Sequence, residues 1–233
     1  MKEIKQIIKK EGLRLVKFEL NNGLFLDSLV ECYRDAFAWL PWQEWKLCLG
    51  CEKKFGKEEE NFLMPQLRCP ICQQPLVDFW EPKKVKKDIK NELNRLMSSC
   101  YLLVEENSEK VVGFTWGYAI EAKELEKHLK LPGVAERLKK HYPAEKLFVY
   151  QDEIGLHKNY QGKKLGKVLF LAHVLDFVNQ GLNISVVRTK TLPPTVTYPW
   201  YKRIGYKVIQ KYNDADGRVI LTANFSELKY FTT

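Results

Sequence analysis

The chain has 233 residues, of which 45% are hydrophobic, and a formal net charge of +9. That length buries one sizeable core, or one core plus a small module. No segment approaches the roughly 18 consecutive apolar residues of a membrane span, and residues 1–11 carry charges throughout with no apolar block of a secretory leader, so the expected location is cytoplasmic, with no membrane partner. The basic balance suits an anionic partner, which is a nucleic acid, a membrane surface or a phosphorylated cofactor.

The first element is a strand over Leu13–Leu20, where apolar residues mostly alternate, and Asn21-Asn22-Gly23 follows as a turn signal. Leu29, Val30, Tyr33, Ala36, Phe37 and Leu40 then recur at helical spacing; Asp27 is the candidate N-cap and Pro41 the stop. Cys32 falls among these apolar positions and reads as a buried structural thiol.

Residues 43–81 lack a long amphipathic period and contain the densest cysteine pattern: Cys48-x2-Cys51, seventeen residues, then Cys69-x2-Cys72. Each C-x-x-C turn sets two thiolates on one side, and two such turns together make the tetrahedral all-sulfur site that zinc favours. A redox dithiol or an iron–sulfur cluster is the competing reading, but a redox pair usually stands alone at a strand-to-helix junction. Four cysteine ligands leave no open position, so the zinc is expected to be structural, supplying folding free energy that about 40 residues cannot raise from a core of their own.

A second helix is expected over Lys84–Ser98, with Val85, Ile89, Leu93 and Leu96 on one side. Its lysines, Lys83, Lys84, Lys86, Lys87 and Lys90, interleave with Asp88 and Glu92 and read as a solvated face. Strands at Tyr101–Glu105 and Lys110–Ile120 follow, then a helical segment over 121–141 interrupted by Leu131-Pro132-Gly133, then a strand at Leu147–Leu156. Lys163–Gln180 reads as a strongly amphipathic helix ended by Gly181. A strand at Ile184–Thr189 and a helix over Thr195–Ile204 after Pro193-Pro194 come next. An antiparallel pair, Tyr206–Lys211 and Val219–Thr222, closes the chain around an Asp216-Gly217 turn. The plan is mixed α/β.

One junction carries cofactor chemistry. Glu153-Ile154-Gly155-Leu156 ends a strand, His157 to Lys164 makes a turn rich in glycine and lysine, and the long helix begins. Such a helix start offers unpaired backbone N–H groups and a positive dipole end to a phosphate. No G-x4-G-K-[ST] or G-x-G-x-x-G pattern is present, which argues against a P-loop or a dinucleotide fold.

The segment resembles motif A of the GNAT acetyltransferases, Gln/Arg-x-x-Gly-x-Gly/Ala: Gln161 and Gly166 match, while Lys164 stands at the first glycine position. There its side chain either crowds a diphosphate or turns outward as an added charge, and the cradle is expected to survive if Lys164 is ordinarily helical. Tyr201-Lys202-Arg203-Ile204-Gly205-Tyr206 is similar to the family's Tyr-x-x-x-Gly-Phe/Tyr element, and Val111-Val112-Gly113-Phe114 to its third strand. The resemblance implies a splayed central sheet flanked by helices over residues 1–42 and 83–233, with the zinc ribbon inserted at 43–82. It also implies acetyl-CoA or another acyl-CoA as cosubstrate. Ile154, Gly155 and Leu156 would meet the pantetheine arm, and Gln161, Gly162, Lys163, Lys164, Leu165, Gly166 and Lys167 the diphosphate.

The implied reaction is direct attack of an amine on the thioester. Glu153 is the candidate base, with Asp152 its neighbour on the opposite strand face, and Tyr201 the candidate acid. The competing roles are a surface or acceptor-binding carboxylate for Glu153 and a packing aromatic for Tyr201. His157 is expected to be solvated or close to phosphate. The segment Trp39-Leu40-Pro41-Trp42-Gln43-Glu44-Trp45 reads either as a cage for a cationic acceptor or as the seam on which the ribbon docks. A rival function is a nucleic-acid- or protein-binding module with an inactive GNAT-like domain, although Arg68 is the ribbon's only arginine and no aromatic–arginine stacking array is evident. The amine acceptor and the oligomeric state are not encoded in any motif.

Overall fold

The computed structural model describes residues 2–21, 23–63, 67–192, 195–214 and 217–230. Asn22, Pro193-Pro194 and Asp216, on which three turn or helix-start expectations rest, lie outside the described residues. In chain order the elements are α1 (Lys2–Lys10), β1 (Leu13–Lys17), α2 (Leu26–Ala38), β2 (Lys46–Cys48), β3 (Lys54–Phe55), α3 (Glu60–Leu63), β4 (Leu76–Asp78), α4 (Pro82–Leu93), β5 (Ser99–Glu105) and β6 (Val111–Glu121). They continue with α5 (Ala122–Leu129), α6 (Val134–His141), β7 (Leu147–Leu156), α7 (Leu165–Asn179), β8 (Ile184–Lys190), α8 (Thr197–Ile204), β9 (Lys207–Lys211) and β10 (Arg218–Asn224).

Seven strands form one mixed sheet in the order β1-β5-β6-β7-β8-β10-β9, and β3-β2-β4 form a small separate sheet. This is the mixed α/β plan with helices flanking a large sheet that the sequence led one to expect. By compactness the chain divides into two units, Met1–Asn91 with Tyr101–Phe114 and Ile154–Leu169, and Glu92–Cys100 with Thr115–Glu153 and Phe170–Thr233.

In the first unit, β1 pairs antiparallel with β5 from Leu13↔Glu105 to Lys17↔Tyr101. Leu29, Val30, Tyr33, Ala36 and Phe37 of α2 are buried, as their spacing requires. Asp27 does not cap this helix: the N-cap is Phe25, and Asp27 sits in the first turn, where its carboxylate pairs with Lys86 at 2.6 Å. Val85, Ile89 and Leu93 of α4 are buried, while Lys83, Lys84, Lys87 and Lys90 are exposed, the solvated face anticipated. The helix stops at Leu93, five residues short of the expected end.

Helix α1 was not anticipated, because its charges hide a stripe of Ile4, Ile7 and Ile8 that packs against Leu165, Val168 and Leu169. Helix α7 is buried around more of its circumference than an amphipathic helix requires. Leu165, Val168, Leu169 and Phe177 are buried, and so are Phe170, Leu171, His173 and Val174.

In the second unit, β10 lies between β8 and β9, antiparallel to both. The break between α5 and α6 is made by Lys130 and Gly133 at φ 50° and 88°. The Glu126 carboxylate accepts the N–H groups of Gly133 and Ala135, at 2.9 Å each, and so caps the second helix. Gly205, at φ 123°, ends α8, and the Tyr206 N–H returns to the Tyr201 carbonyl at 3.0 Å. The glycine of the Tyr-x-x-x-Gly-Tyr element is therefore a helix stop that only a residue without Cβ adopts freely. Strands β7 and β8 pair in parallel from Val149↔Ser185 to Gln151↔Val187, and both continue beyond that register, β7 to Leu156 and β8 to Lys190.

Candidate functional site

The turn from β7 into α7 is built by short-range bonds. The Tyr160 N–H returns to the His157 carbonyl at 2.9 Å, the Asn159 N–H to His157 Nδ1 at 3.3 Å, and the Gln161 side-chain amide to the Leu156 carbonyl at 3.2 Å. The Tyr160 hydroxyl donates to Glu105 at 2.9 Å, and Lys163 pairs with Glu11 at 2.9 Å. These contacts leave the main chain that follows open: the N–H groups of Gly162, Lys163 and Lys164 donate to no acceptor among the described residues. Leu165 and Gly166 then open α7 with the unpaired amides of any first helical turn.

Lys164 departs from expectation in its backbone. It is not helical but left-handed, at φ 62°, so the helix begins at Leu165, two residues after the expected start. A lysine thus occupies a conformation for which glycine is the ordinary choice, at a cost of about 1–2 kcal/mol. Gly162 is also left-handed, at φ 77°. The two remaining motif glycines serve different ends. A Cβ at Gly155 would run into the Phe114 ring, so close packing accounts for it. A Cβ at Gly166 would meet nothing within 4 Å, and its φ is ordinary, so nothing in the protein's own packing requires a glycine there.

His157 keeps part of its surface in solvent. It is half-buried, with Nε2 3.6 Å from the Asp35 carboxylate of α2. Asp35 also accepts the backbone N–H of Lys158 at 3.0 Å, a contact spanning 123 positions of chain that no local pattern could have announced.

In the second unit, Asp152 and Glu153 have different surroundings, as strand alternation requires. Asp152 lies among Tyr118, Tyr150, Arg188 and Arg95; burial pushes its carboxyl up to about 6 while the arginines pull the other way. Its Oδ2 has no hydrogen-bond partner among the described residues. Glu153 acts on Tyr201, whose phenol is pushed well above the usual tyrosine range by burial first and by the Glu153 charge second. Tyr201 stays protonated at neutral pH and packs edge-on or tilted against Phe170, Trp200 and Tyr206. The Tyr206 hydroxyl bonds both Gln151 Oε1, at 2.9 Å, and Ser185, at 2.8 Å, across the β7–β8 pair. Neither Gln151 nor Ser185 carried a sequence signal.

The four paired cysteines converge. Their sulfurs all lie within 4.8 Å of one another, with Cys48···Cys72 at 3.3 Å and Cys51···Cys69 at 3.6 Å. A tetrahedral zinc with Zn–S of about 2.3 Å sets its sulfurs about 3.8 Å apart, so the donor set fits that ion in chemistry and in size. The two knuckles have the same build: the Cys48 N–H bonds the Lys53 carbonyl at 3.0 Å, and the Cys69 N–H bonds the Gln74 carbonyl at 2.8 Å. The residue after each second cysteine, Glu52 and Gln73, is left-handed, at φ 56° and 61°. The Cys51 backbone N–H is the main cause that pulls the Cys48 thiol down to about 6. No other group of histidine, cysteine or carboxylate ligands clusters among the described residues.

The aromatic segment before the ribbon is a seam. Tyr33 and Phe37 of α2 pack on Trp80 with centroids at 5.3 and 6.4 Å, and Phe37 packs on Trp42 at 5.6 Å. Arg34 donates to the Trp80 carbonyl at 2.9 Å and to Asp78 at 3.0 Å, and Glu44 accepts the Trp80 indole N–H at 3.2 Å. Cys32 is buried and its thiol is pushed up by that burial, consistent with an inert structural role.

No family model matches the sequence, and no curated protein matches it by sequence. The structure does match others. The PaiA N-acetyltransferase of Thermoplasma acidophilum, solved in complex with coenzyme A, is similar over 91% of this chain and 98% of its own, with 13% identity and a TM-score of 0.53. An aminoglycoside 6'-acetyltransferase type Ii is similar over 91% of this chain and 97% of its own, with 12% identity and a TM-score of 0.52. The chain has the fold of the GNAT acetyltransferases, with a four-cysteine cluster between residues 48 and 72. No helix among the described residues is long and apolar enough to cross a membrane.

Proposed function

We propose that this chain is an acyl-CoA-dependent N-acyltransferase that moves an acetyl or other short acyl group to an amine. The observation that carries the proposal is the turn before α7. Three successive amides, on Gly162, Lys163 and Lys164, donate to no acceptor among the described residues, and next to them a Cβ at Gly166 would meet none of the described residues within 4 Å. A glycine in a helix costs about 0.5–1 kcal/mol relative to alanine. Its presence at an open position is explained by a ligand that approaches the backbone closely, and the unpaired amides at a helix start select an anion.

In this reading the backbone from Gln161 to Lys167 holds the diphosphate, and Ile154, Gly155 and Leu156 present main-chain groups to the pantetheine arm. Acyl-CoA supplies an activated thioester. Glu153 takes the proton from the amine through a water as the new C–N bond forms, and Tyr201 gives one to the sulfur as the C–S bond breaks. A tyrosine whose acidity is suppressed by burial is well suited to hold its proton until a thiolate develops beside it. The same proposal assigns one structural zinc ion to Cys48, Cys51, Cys69 and Cys72.

Calorimetry of the purified protein with acetyl-CoA and with CoA tests the central claim. Saturable binding of one equivalent is expected. No heat of binding at high micromolar cosubstrate would defeat the enzyme reading and leave the cysteine centre as the chain's only assigned site.

A further inference from the structure

We propose that Asp35 is a positioning residue through which the cysteine ribbon sets the phosphate-binding turn, so that ribbon integrity and CoA affinity are coupled. The inference rests on the reading that Gly162 to Lys164 hold the diphosphate, and it assigns a role to the ribbon, for which the acyl-transfer reading needs none.

Asp35 sits near the C-terminal end of α2 with a side chain only 11% exposed, and both carboxylate oxygens are engaged. Oδ1 accepts the Lys57 ammonium at 3.3 Å and the Trp39 indole N–H at 3.3 Å. Oδ2 accepts the Lys158 backbone N–H at 3.0 Å and lies 3.6 Å from His157 Nε2. One oxygen therefore faces the ribbon and the other the turn. Lys57 lies just beyond β3, which pairs with β2, the strand that ends in Cys48. Lys158 opens the turn that leads to the unpaired amides.

A second link runs parallel to the first. The Lys57 and Lys158 ammonium groups lie 5.7 and 5.2 Å from the same Trp39 ring. A cavity of about 240 Å³ adjoins the carboxylate, with Cys32, Trp45, Lys57 and His157 in its wall. A largely buried carboxylate keeps its place only while its donors are present. Loss of Lys57, directly or by unfolding of a metal-free ribbon, leaves Asp35 under-neutralised and free to shift, and the Lys158 amide shifts with it.

The test uses the full-length protein, zinc-loaded and zinc-stripped, as wild type, Lys57→Ala, Lys57→Arg and Asp35→Asn. Two quantities are read: hydrogen exchange of residues 157–162, and CoA affinity by calorimetry. Zinc removal and Lys57→Ala are each expected to speed exchange at Lys158 and to weaken CoA binding by about five- to tenfold, the lower end of ordinary coupling between sites. The two effects should not add, because both remove one link, and Lys57→Arg should restore most of the loss. Asp35→Asn should reproduce the loss with zinc content unchanged; should it misfold, the half-exposed Lys57 still decides the matter. Wild-type exchange and affinity in zinc-loaded Lys57→Ala would overturn the proposal, as would full additivity. Exchange that responds as expected in a protein that binds no CoA would keep the ribbon-to-turn link and sink the cofactor reading instead.

Discussion

His173 Nδ1 lies 3.3 Å from the Thr115 hydroxyl, and the same hydroxyl donates its single proton to the Glu153 carbonyl at 3.0 Å. The imidazole must therefore donate from Nδ1, which leaves Nε2 as a bare lone pair, buried and without a partner among the described residues. A histidine inside α7 thus helps to hold the main chain at the proposed base.

This geometry has a pH consequence. Burial pulls the His173 pKa down from 6.5 to about 3, so between those values the unfolded chain binds one more proton than the folded one. Stability contributed by neutral His173 is present above pH 6.5 and is lost as pH falls towards 3, at about 1.4 kcal/mol per pH unit. His173→Leu should flatten the acid limb of a denaturant-derived stability profile by one proton. An unchanged slope would show that another group governs it.

Gly155 and Gly166 should respond in opposite ways. Gly155→Ala drives a methyl into Phe114 and should cost about 1–3 kcal/mol of stability, the usual range for overpacking. A Cβ at Gly166 meets nothing within 4 Å among the described residues, so Gly166→Ala should leave the melting temperature near wild type while weakening CoA binding, and Gly166→Leu should weaken it further. Wild-type CoA affinity in Gly166→Leu would mean that the open space at α7 is not the cosubstrate's.

At Lys164 the backbone dominates. Lys164→Gly should stabilise the fold by about 0.5–1 kcal/mol, the left-handed cost relieved less the entropy glycine loses on folding. Lys164→Val should destabilise it, since a β-branched residue tolerates positive φ least. Thermal denaturation of the two variants decides the sign.

Metal analysis of anaerobically prepared protein should find one zinc per chain. Cys51→Ser should lower that content and open β2, β3 and β4 to proteolysis, because Cys48, Phe55, Cys69 and Leu76 form a cluster too small to persist without a metal. Metal-free protein with an intact ribbon would refute the assignment.

Glu153→Gln and Tyr201→Phe should each lower turnover, on whatever amine proves to be accepted, more than they lower CoA affinity. Were Asp152→Asn to carry that loss instead, the base would lie on the other face of β7, beside Tyr118, Tyr150 and Arg188.

What could be read along the chain were features whose partners are close in sequence. Two C-x-x-C knuckles, the β7 span, the interruption before α6 and the order of strands and helices depend on local periodicity and turn chemistry, and these are written into neighbouring residues. The resemblance of Gln161 and Gly166 to a family motif is likewise carried by neighbouring residues. The left-handed state of Lys164 escaped because lysine carries no turn signal, and α1 escaped because its charges mask an apolar stripe whose partner lies over 150 residues away.

Tertiary structure alone decided how the local pieces bear on one another. It laid α1 against the first turns of α7, turned the tryptophans around the ribbon into a seam with α2, and brought Asp35 to the amide of Lys158. It also set His173 against Thr115. Such contacts pair groups far apart in sequence, and their energies arise from desolvation and from donor–acceptor geometry, which exist only once the chain has closed around them.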